Sequence, residues 1–181
     1  MSAPAQSQEP ISELLAEVKA ASGGRLLALH NDLARSPAAL AAYLGLRRAG
    51  GEYGTLEPSI RAAIMLTTGA VDGGAYSQAI ATQLAIGTGM SLQETVAVRA
   101  GDVDDPRTAA LFAVVHEAAA NAGTVDQATW ATATAAGWSD EQLIEAFVYQ
   151  ALTVFVDHFV NYAGTALDVP PAPSISEEAE R

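Results

Sequence analysis

The side chains that could carry out chemistry gather in two stretches of this chain. In the segment 71–81, Tyr76 and Ser77 follow an Asp-Gly-Gly turn. Near the end of a long apolar segment, Asp157 and His158 are adjacent. Carboxyl, imidazole and hydroxyl groups can donate or accept protons during a reaction. We therefore take Asp157, His158, Tyr76 and Ser77 as candidate catalytic residues.

Helical geometry limits how these groups can cooperate. Adjacent helical residues point about 100° apart, so Asp157 and His158 cannot form a relay with each other, although each can reach the residue four positions on. The pair is either an acid or base that faces a pocket or a polar patch at a helix or subunit interface. Ser77 is either a neutral residue or a nucleophile, which would need a neighbouring base. Tyr76 is either a packing residue or a proton donor.

The elements that position these residues are predicted to be helices. Apolar residues recur at three and four positions, and no alternating β pattern of useful length occurs. Capping signals stand before the apolar runs at Ser36-Pro37, Pro58, Ser91 to Glu94, Asp105-Pro106, Thr124 to Gln127 and Ser139 to Gln142. The predicted helices include 25–34, one that opens at Pro37 and ends near Ala49, 75–87 and 107–122. We expect an all-α domain of about eight or nine helices.

Composition excludes several classes of function. The chain has 181 residues, no cysteine and a net charge of −12. Without cysteine there is no disulfide, thiolate metal site or thiol redox chemistry. Its nine basic residues are scattered, which argues against nucleic acid as a partner. The pair His116-Glu117 lacks a second histidine at helical spacing, so we expect no metal and no other cofactor. We expect His30 to be partly exposed and hydrogen-bonded.

The chain reads as one domain with two short tails. We expect a disordered tail over 1–9, a single domain over 10–170 and an acidic disordered tail over 171–181. The start of the chain lacks the pattern of a signal peptide, which predicts a cytoplasmic protein. The most apolar run, 143–160, is interrupted by Glu145, Gln150, Asp157 and His158, so it fits a buried helix better than a membrane span.

The segment 71–77, Val-Asp-Gly-Gly-Ala-Tyr-Ser, resembles the Val-Asn-Gly-Cys-Ala-Tyr-Cys that opens the motif helix of the AhpD-like alkylhydroperoxidase and carboxymuconolactone decarboxylase superfamily. The segments 30–37 and 137–145 are also similar to elements of that family. The resemblance implies the all-α AhpD-like fold and a homo-oligomer. In register, the family's two cysteines, its histidine and its glutamate fall on Gly74, Ser77, Ala81 and Ala62.

These substitutions change the function that the resemblance implies. Thiol peroxidase activity is not expected without the cysteines, and the decarboxylase branch would still need the histidine that Ala81 replaces. The small residues Ala62, Gly74, Ser77 and Ala81 either line a remodelled pocket or face a refilled core. Refilling is favoured by stability, because an empty cavity destabilises the fold by about 24 cal/mol per Å³. We expect a cofactor-independent acid/base enzyme of lyase, isomerase or decarboxylase type acting on a small molecule. The alternative is a non-catalytic ligand-binding or scaffold protein.

Overall fold

The protein is all-α over the residues that the structure, a computed structural model, describes, which are 8–175. This confirms the predicted fold class and helix number. The nine helices in that range are α1 (Gln8–Ala21), α2 (Ala28–Leu33), α3 (Pro37–Tyr53), α4 (Pro58–Asp72), α5 (Ala75–Gly87), α6 (Leu92–Ala100), α7 (Pro106–Ala120), α8 (Gln127–Ala135) and α9 (Asp140–Ala163).

Helices α4, α5 and α9 form the centre of the domain, and each packs against the other two. The first half of α9 packs with α4 and α7 around Ile64, Leu111 and Leu143. Its second half packs with α1, α2 and α3 around Leu33 and Val156 in a second apolar cluster. By length and composition α9 could cross a membrane, but half of its most apolar window is buried inside the domain. This is typical of a core helix.

Most of the helix starts agree with the capping signals. Ser91 and Glu94 form a reciprocal capping box at α6, and Ser139 forms the same arrangement at α9. The motif helix α5 has the predicted bounds, and the preceding helix ends at Gly73, whose φ of 67° is the left-handed conformation that glycine adopts easily. Local signals therefore place the motif segment correctly.

Helix α3 continues beyond its predicted end near Ala49, because two glycines that suggested a stop lie inside the helix. At Gly50 a Cβ atom would lie 2.8 Å from the ring of Tyr149. The Tyr149 hydroxyl also donates to the carbonyl of Gly50 at 2.9 Å. The glycine allows α9 to approach α3, so its role is packing rather than termination.

Three other predicted boundaries were wrong. Helix α2 begins at Ala28 instead of Arg25. Helix α7 ends at Ala120, two residues early, before a turn in which Ala122 has a φ of 52°. The predicted capping box at Thr124 does not form; Asp126 is the N-cap of α8 instead and accepts from the amide of Ala128 at 2.7 Å. At α8 the sequence offers two N-cap residues two positions apart, Thr124 and Asp126, and the structure uses the second.

The folded part of the chain extends into both expected tails. Helix α1 begins at Gln8, inside the tail expected over 1–9. After α9, the Asp168 side chain accepts from the amide of Ala28 at 2.8 Å, and Arg99 donates to the carbonyl of Pro173 at 2.7 Å. The chain therefore lies against the domain at these points. The rest of the two expected tails, 1–7 and 176–181, lies outside the described residues.

Candidate functional site

The space in front of Gly74 is filled by a carboxylate. A Cβ atom built on Gly74 would overlap the carboxyl group of Asp157, which reaches across from α9. The backbone at Gly74 has a φ of −74°, which any residue can adopt. Glycine is therefore needed here for the close approach of Asp157 and not for backbone conformation.

The carboxyl group of Asp157 is buried inside the domain. Its side chain belongs to a residue that is 1% exposed, and among the described residues neither carboxyl oxygen has a hydrogen-bond partner. Burial raises the pKa of Asp157 to about 6, a shift that Ser77 opposes and Asp72 increases. The Ser77 hydroxyl is also buried and has no partner of ordinary geometry. A carboxyl group with a pKa near neutrality can both take up and release a proton.

Ser77 and Ala62 line a cavity of about 710 Å³. The volume falls in the range of cavities that hold small organic molecules. Its wall is mostly apolar and includes Leu29, Leu46, Met65, Ile80, Leu152 and Val156. Neither Gly74 nor Ala81 is among the lining residues; Ala81 is fully buried in the apolar cluster of α4 and α7. The four small motif residues therefore have different surroundings. Gly74 contacts a carboxylate, Ser77 and Ala62 line the cavity, and Ala81 is packed in the core.

His30, Tyr43 and Arg47 form a second polar cluster in the cavity wall, which the sequence analysis did not predict. His30, expected to be partly exposed, is 3% exposed because α2 turns its ring inward. Its Nδ1 accepts from the amide of Leu27 at 3.0 Å, and its Nε2 lies 3.4 Å from the hydroxyl of Tyr43. Burial, followed by the charge of Arg47, lowers the pKa of His30 to about 4. The imidazole is therefore neutral at pH 7 and unsuited to exchange protons there.

Two candidate residues lie away from the cavity. The Tyr76 hydroxyl donates to Asp168 at 2.9 Å and accepts from the amide of Leu29 at 3.3 Å. Burial raises the pKa of Tyr76 well above its ordinary value. His158 is exposed on the surface of α9, whereas Asp157 points inward. The structure thus brings Asp157 and Ser77 together and places Tyr76 and His158 elsewhere.

Metal-ligating groups are sparse in residues 8–175. No group of three or more histidine, aspartate and glutamate side chains there is placed to hold a metal ion. His116 is exposed, and its neighbour Glu117 accepts from the amide of Asp126 at 2.9 Å. That contact orders the loop before α8.

No family model and no curated protein matches this chain. Solved structures do. One is described as an AhpD core, an uncharacterized peroxidase-related protein from Ralstonia eutropha JMP134, with a TM-score of 0.79, 18% identity and coverage of 93% of this chain and 91% of that chain.

The debrominase Bmp8 is similar as well. An alanine variant in complex with 2,3,4-tribromopyrrole aligns with a TM-score of 0.75 and 13% identity, over 91% of this chain and 89% of that one. Apo Bmp8 aligns with a TM-score of 0.72 and 15% identity, over 91% and 87%. At these identities the likeness concerns the fold, which does not by itself define an activity. The protein has the AhpD-like fold.

Proposed function

We propose that this protein is a cofactor-independent acid/base enzyme that acts on a small molecule bound in the 710 Å³ cavity. Asp157 is the base, and Ser77 connects it to the cavity. The proposal makes the chain a divergent member of the alkylhydroperoxidase and carboxymuconolactone decarboxylase superfamily that works without the peroxidase cysteines. Its reaction is of lyase, isomerase or decarboxylase type.

The observation that carries the proposal is the buried carboxyl group of Asp157 beside the buried hydroxyl of Ser77: within the described residues neither makes a hydrogen bond of ordinary geometry, and Ser77 lowers the pKa of Asp157 through its hydroxyl and its amide. A buried charge without a partner is costly to stability, so such groups are uncommon outside functional sites. Burial also raises the pKa of this carboxyl group to about 6. A general acid or base is most effective when its pKa lies close to the pH at which the enzyme operates.

Proton transfer would pass through Ser77, because Ser77 lines the cavity and Asp157 does not. The Ser77 oxygen takes a proton from an acidic C–H bond of the substrate while the Ser77 hydroxyl proton moves to the Asp157 carboxylate. The electron pair of the broken C–H bond stays on the substrate as a carbanion or enolate. Return of the proton to another carbon isomerises the molecule, and loss of a leaving group makes the reaction a lyase reaction.

We also propose a cytoplasmic homo-oligomer. Ile144 and Phe147 are 64% and 56% exposed on the surface of α9, which is unusual for large apolar side chains close together on one element. A subunit contact would cover them. Light scattering coupled to size-exclusion chromatography measures the mass, and a monomer at micromolar concentration would contradict this part of the proposal.

The alternative function is ligand binding without catalysis. It is favoured by the position of Asp157 at the start of α5, where Gly74 offers no side-chain cap. A carboxylate there interacts favourably with the helix dipole. In that case Asp157 would be a structural residue, and the cavity would hold a ligand that undergoes no reaction.

Proton exchange with solvent separates the two functions. Small ketones, lactones and carboxylic acids with activated C–H bonds are incubated with the protein in D2O, and their proton NMR signals are followed. An enzyme should exchange a C–H proton of a bound compound, and Asp157→Asn should slow that exchange at least about 100-fold. If compounds shown to bind exchange no faster than in buffer, or if the variant exchanges equally fast, the catalytic proposal is wrong.

A further inference from the structure

The charged residues around the cavity are distributed unevenly. The chain has nine basic and twenty-one acidic residues. Three of the basic ones, Arg25, Arg47 and Arg61, line the cavity, and no aspartate or glutamate within residues 8–175 does. In an acidic protein this makes the cavity wall locally positive, and a positive concave wall attracts anions.

Two of the three arginines are already engaged by backbone carbonyl groups. Arg61 donates to the carbonyls of Gly50 and Gly54 at 3.3 and 3.0 Å, and it lies over the Tyr149 ring. The exposed Arg25 donates to the carbonyl of Asp168 at 3.1 Å. Arg61 thus uses all three of its guanidinium nitrogens, the third on the carbonyl of Leu56, whereas Arg25 makes a single hydrogen bond and is exposed.

Arg47 differs from Arg61 in making only one hydrogen bond and from Arg25 in being half-buried. Its guanidinium lies 5.6 Å from the centre of the Tyr43 ring and donates to the Tyr43 hydroxyl at 3.4 Å. Among the described residues, no carboxylate lies within ion-pair distance of Arg47, whereas the next residue, Arg48, pairs with Glu17 at 2.7 Å. Arg47 is half-buried in the wall and keeps several donors for a ligand.

The hydrogen bonds around Tyr43 also leave its hydroxyl free to donate a hydrogen bond to a ligand. Because the Nδ1 of His30 accepts the amide of Leu27, the neutral imidazole carries its proton on Nε2. That N–H group and Arg47 both face the Tyr43 oxygen, each at 3.4 Å. With two donors directed at its oxygen, the Tyr43 hydroxyl has its own hydrogen available for an acceptor in the cavity.

We propose that Arg47 and Tyr43 form a carboxylate-binding subsite, positioned by His30, and that the ligand of the cavity is an organic monocarboxylate with an apolar body. One half-buried guanidinium with donors to spare matches one negative charge, and a carboxylate accepts hydrogen bonds from both Arg47 and Tyr43. The apolar remainder of the wall suits an aromatic or aliphatic body. The inference deepens the proposed function, on which it rests for the chemistry that follows binding.

Isothermal titration calorimetry with a matched ligand series tests the subsite. Naphthoate carries the carboxylate, naphthamide is its neutral counterpart, and naphthyl phosphate offers a mainly dianionic head. The wild-type protein should bind naphthoate at least about tenfold more tightly than naphthamide, and more tightly than naphthyl phosphate. Equal affinity for acid and amide would overturn the subsite, and tighter binding of the phosphate would overturn its assignment to carboxylates.

Variants identify the residues. Arg47→Met should remove the preference for naphthoate over naphthamide, and Tyr43→Phe should reduce it about threefold to tenfold. Arg48→Met, a change of the adjacent exposed arginine, should leave the preference intact. If Arg47→Met does not fold, as judged by circular dichroism, Arg47→Lys keeps the charge without the planar fork and should weaken naphthoate binding while sparing naphthamide. If a folded Arg47 variant kept the full preference for naphthoate over naphthamide, the proposal would be wrong.

The Asp157→Asn variant keeps this test independent of catalysis. It should still prefer naphthoate, because Asp157 does not line the cavity. Carboxylate binding that depends on Arg47, together with unchanged proton exchange in Asp157→Asn, would contradict the proposed function alone. Loss of exchange in Asp157→Asn with no preference for naphthoate in the wild type would contradict the subsite alone.

Discussion

Helix α9 directs two carboxylates into the domain, and their surroundings are opposite. Glu145 accepts from the amide and hydroxyl of Thr55, both at 2.8 Å, and from Leu56 and Tyr149. Asp157, about three turns further along, has no hydrogen-bond partner among the described residues. Burial favours the protonated form of both carboxyl groups. At Glu145 the hydrogen bonds outweigh burial, so its pKa is lowered, whereas the pKa of Asp157 rises to about 6.

The difference distinguishes a structural carboxylate from a reactive one. Glu145 holds the loop between α3 and α4 against α9, and its hydrogen bonds stabilise its charged form. Asp157 lacks that stabilisation and can change its charge near neutral pH. Both residues lie in one helix with similar sequence surroundings, so neighbouring elements, rather than α9 itself, assign their roles.

The largest expected effect is on catalysis. Asp157→Asn should slow the proton exchange described above at least about 100-fold, because the base is lost. Glu145→Gln should keep the rate within about threefold, since Glu145 does not line the cavity. His158→Asn, next to Asp157 but exposed, is the matched control and should change the rate less than about threefold, because His158 has only a minor effect on the pKa of Asp157. A large effect of Glu145→Gln at full folding would break the distinction between the two carboxylates.

The two carboxylates should also affect stability with opposite pH dependence. The raised pKa of Asp157 contributes stability below its ordinary pKa of 3.8, and this is lost as the pH rises through about 6. The loss is about 3 kcal/mol. The lowered pKa of Glu145 contributes stability above its ordinary pKa of 4.5, which is lost as the pH falls. Urea unfolding between about pH 4 and pH 8 compares each variant with the wild type.

In that series, the free energy of unfolding of Asp157→Asn should exceed that of the wild type mainly above pH 6, and that of Glu145→Gln should fall below it mainly above pH 5. Only the difference from the wild type is informative, because the chain has many other acidic groups. A constant difference across the range for Asp157→Asn would contradict a raised pKa.

The contact between Gly74 and Asp157 provides the next test. Gly74→Ala should destabilise the protein by about 1–3 kcal/mol, because the added Cβ overlaps the Asp157 carboxyl group. The cost should largely vanish in an Asp157→Ala background, which a double-mutant cycle measures by urea unfolding. As a control, Gly45→Ala on open α3 surface should stabilise by about 0.5–1 kcal/mol. An equal cost of Gly74→Ala in both backgrounds would show that Asp157 is not the obstacle.

The smallest expected effect concerns Tyr76. Tyr76→Phe removes the hydrogen bond to Asp168 and leaves the amide of Leu29 without its acceptor, which should cost about 1–2 kcal/mol. The exchange rate should change less than about threefold, since Tyr76 does not line the cavity. Tyr162→Phe, at a residue that is 92% exposed, is the matched control and should change neither quantity. If Tyr76→Phe slowed proton exchange without changing the free energy of unfolding, Tyr76 would be a catalytic residue after all.

The sequence by itself determined the all-α fold and most helix starts, because caps and apolar periodicity are local signals. It also placed the motif helix at 75–87 without error. One error occurred where a local signal had a tertiary cause: Gly50 was interpreted as a helix end, although it makes room for Tyr149.

Tertiary structure alone decided the site. Asp157 and Gly74 are distant in sequence, and only the packing of α9 against α5 puts the carboxylate into the space that a glycine leaves. In the same way, no pattern in the sequence joins His30, Tyr43 and Arg47 to Ser77, since the helices that carry them meet only around the cavity. Burial and hydrogen bonding, which give a carboxylate its pKa and a residue its role, are properties of the packed chain.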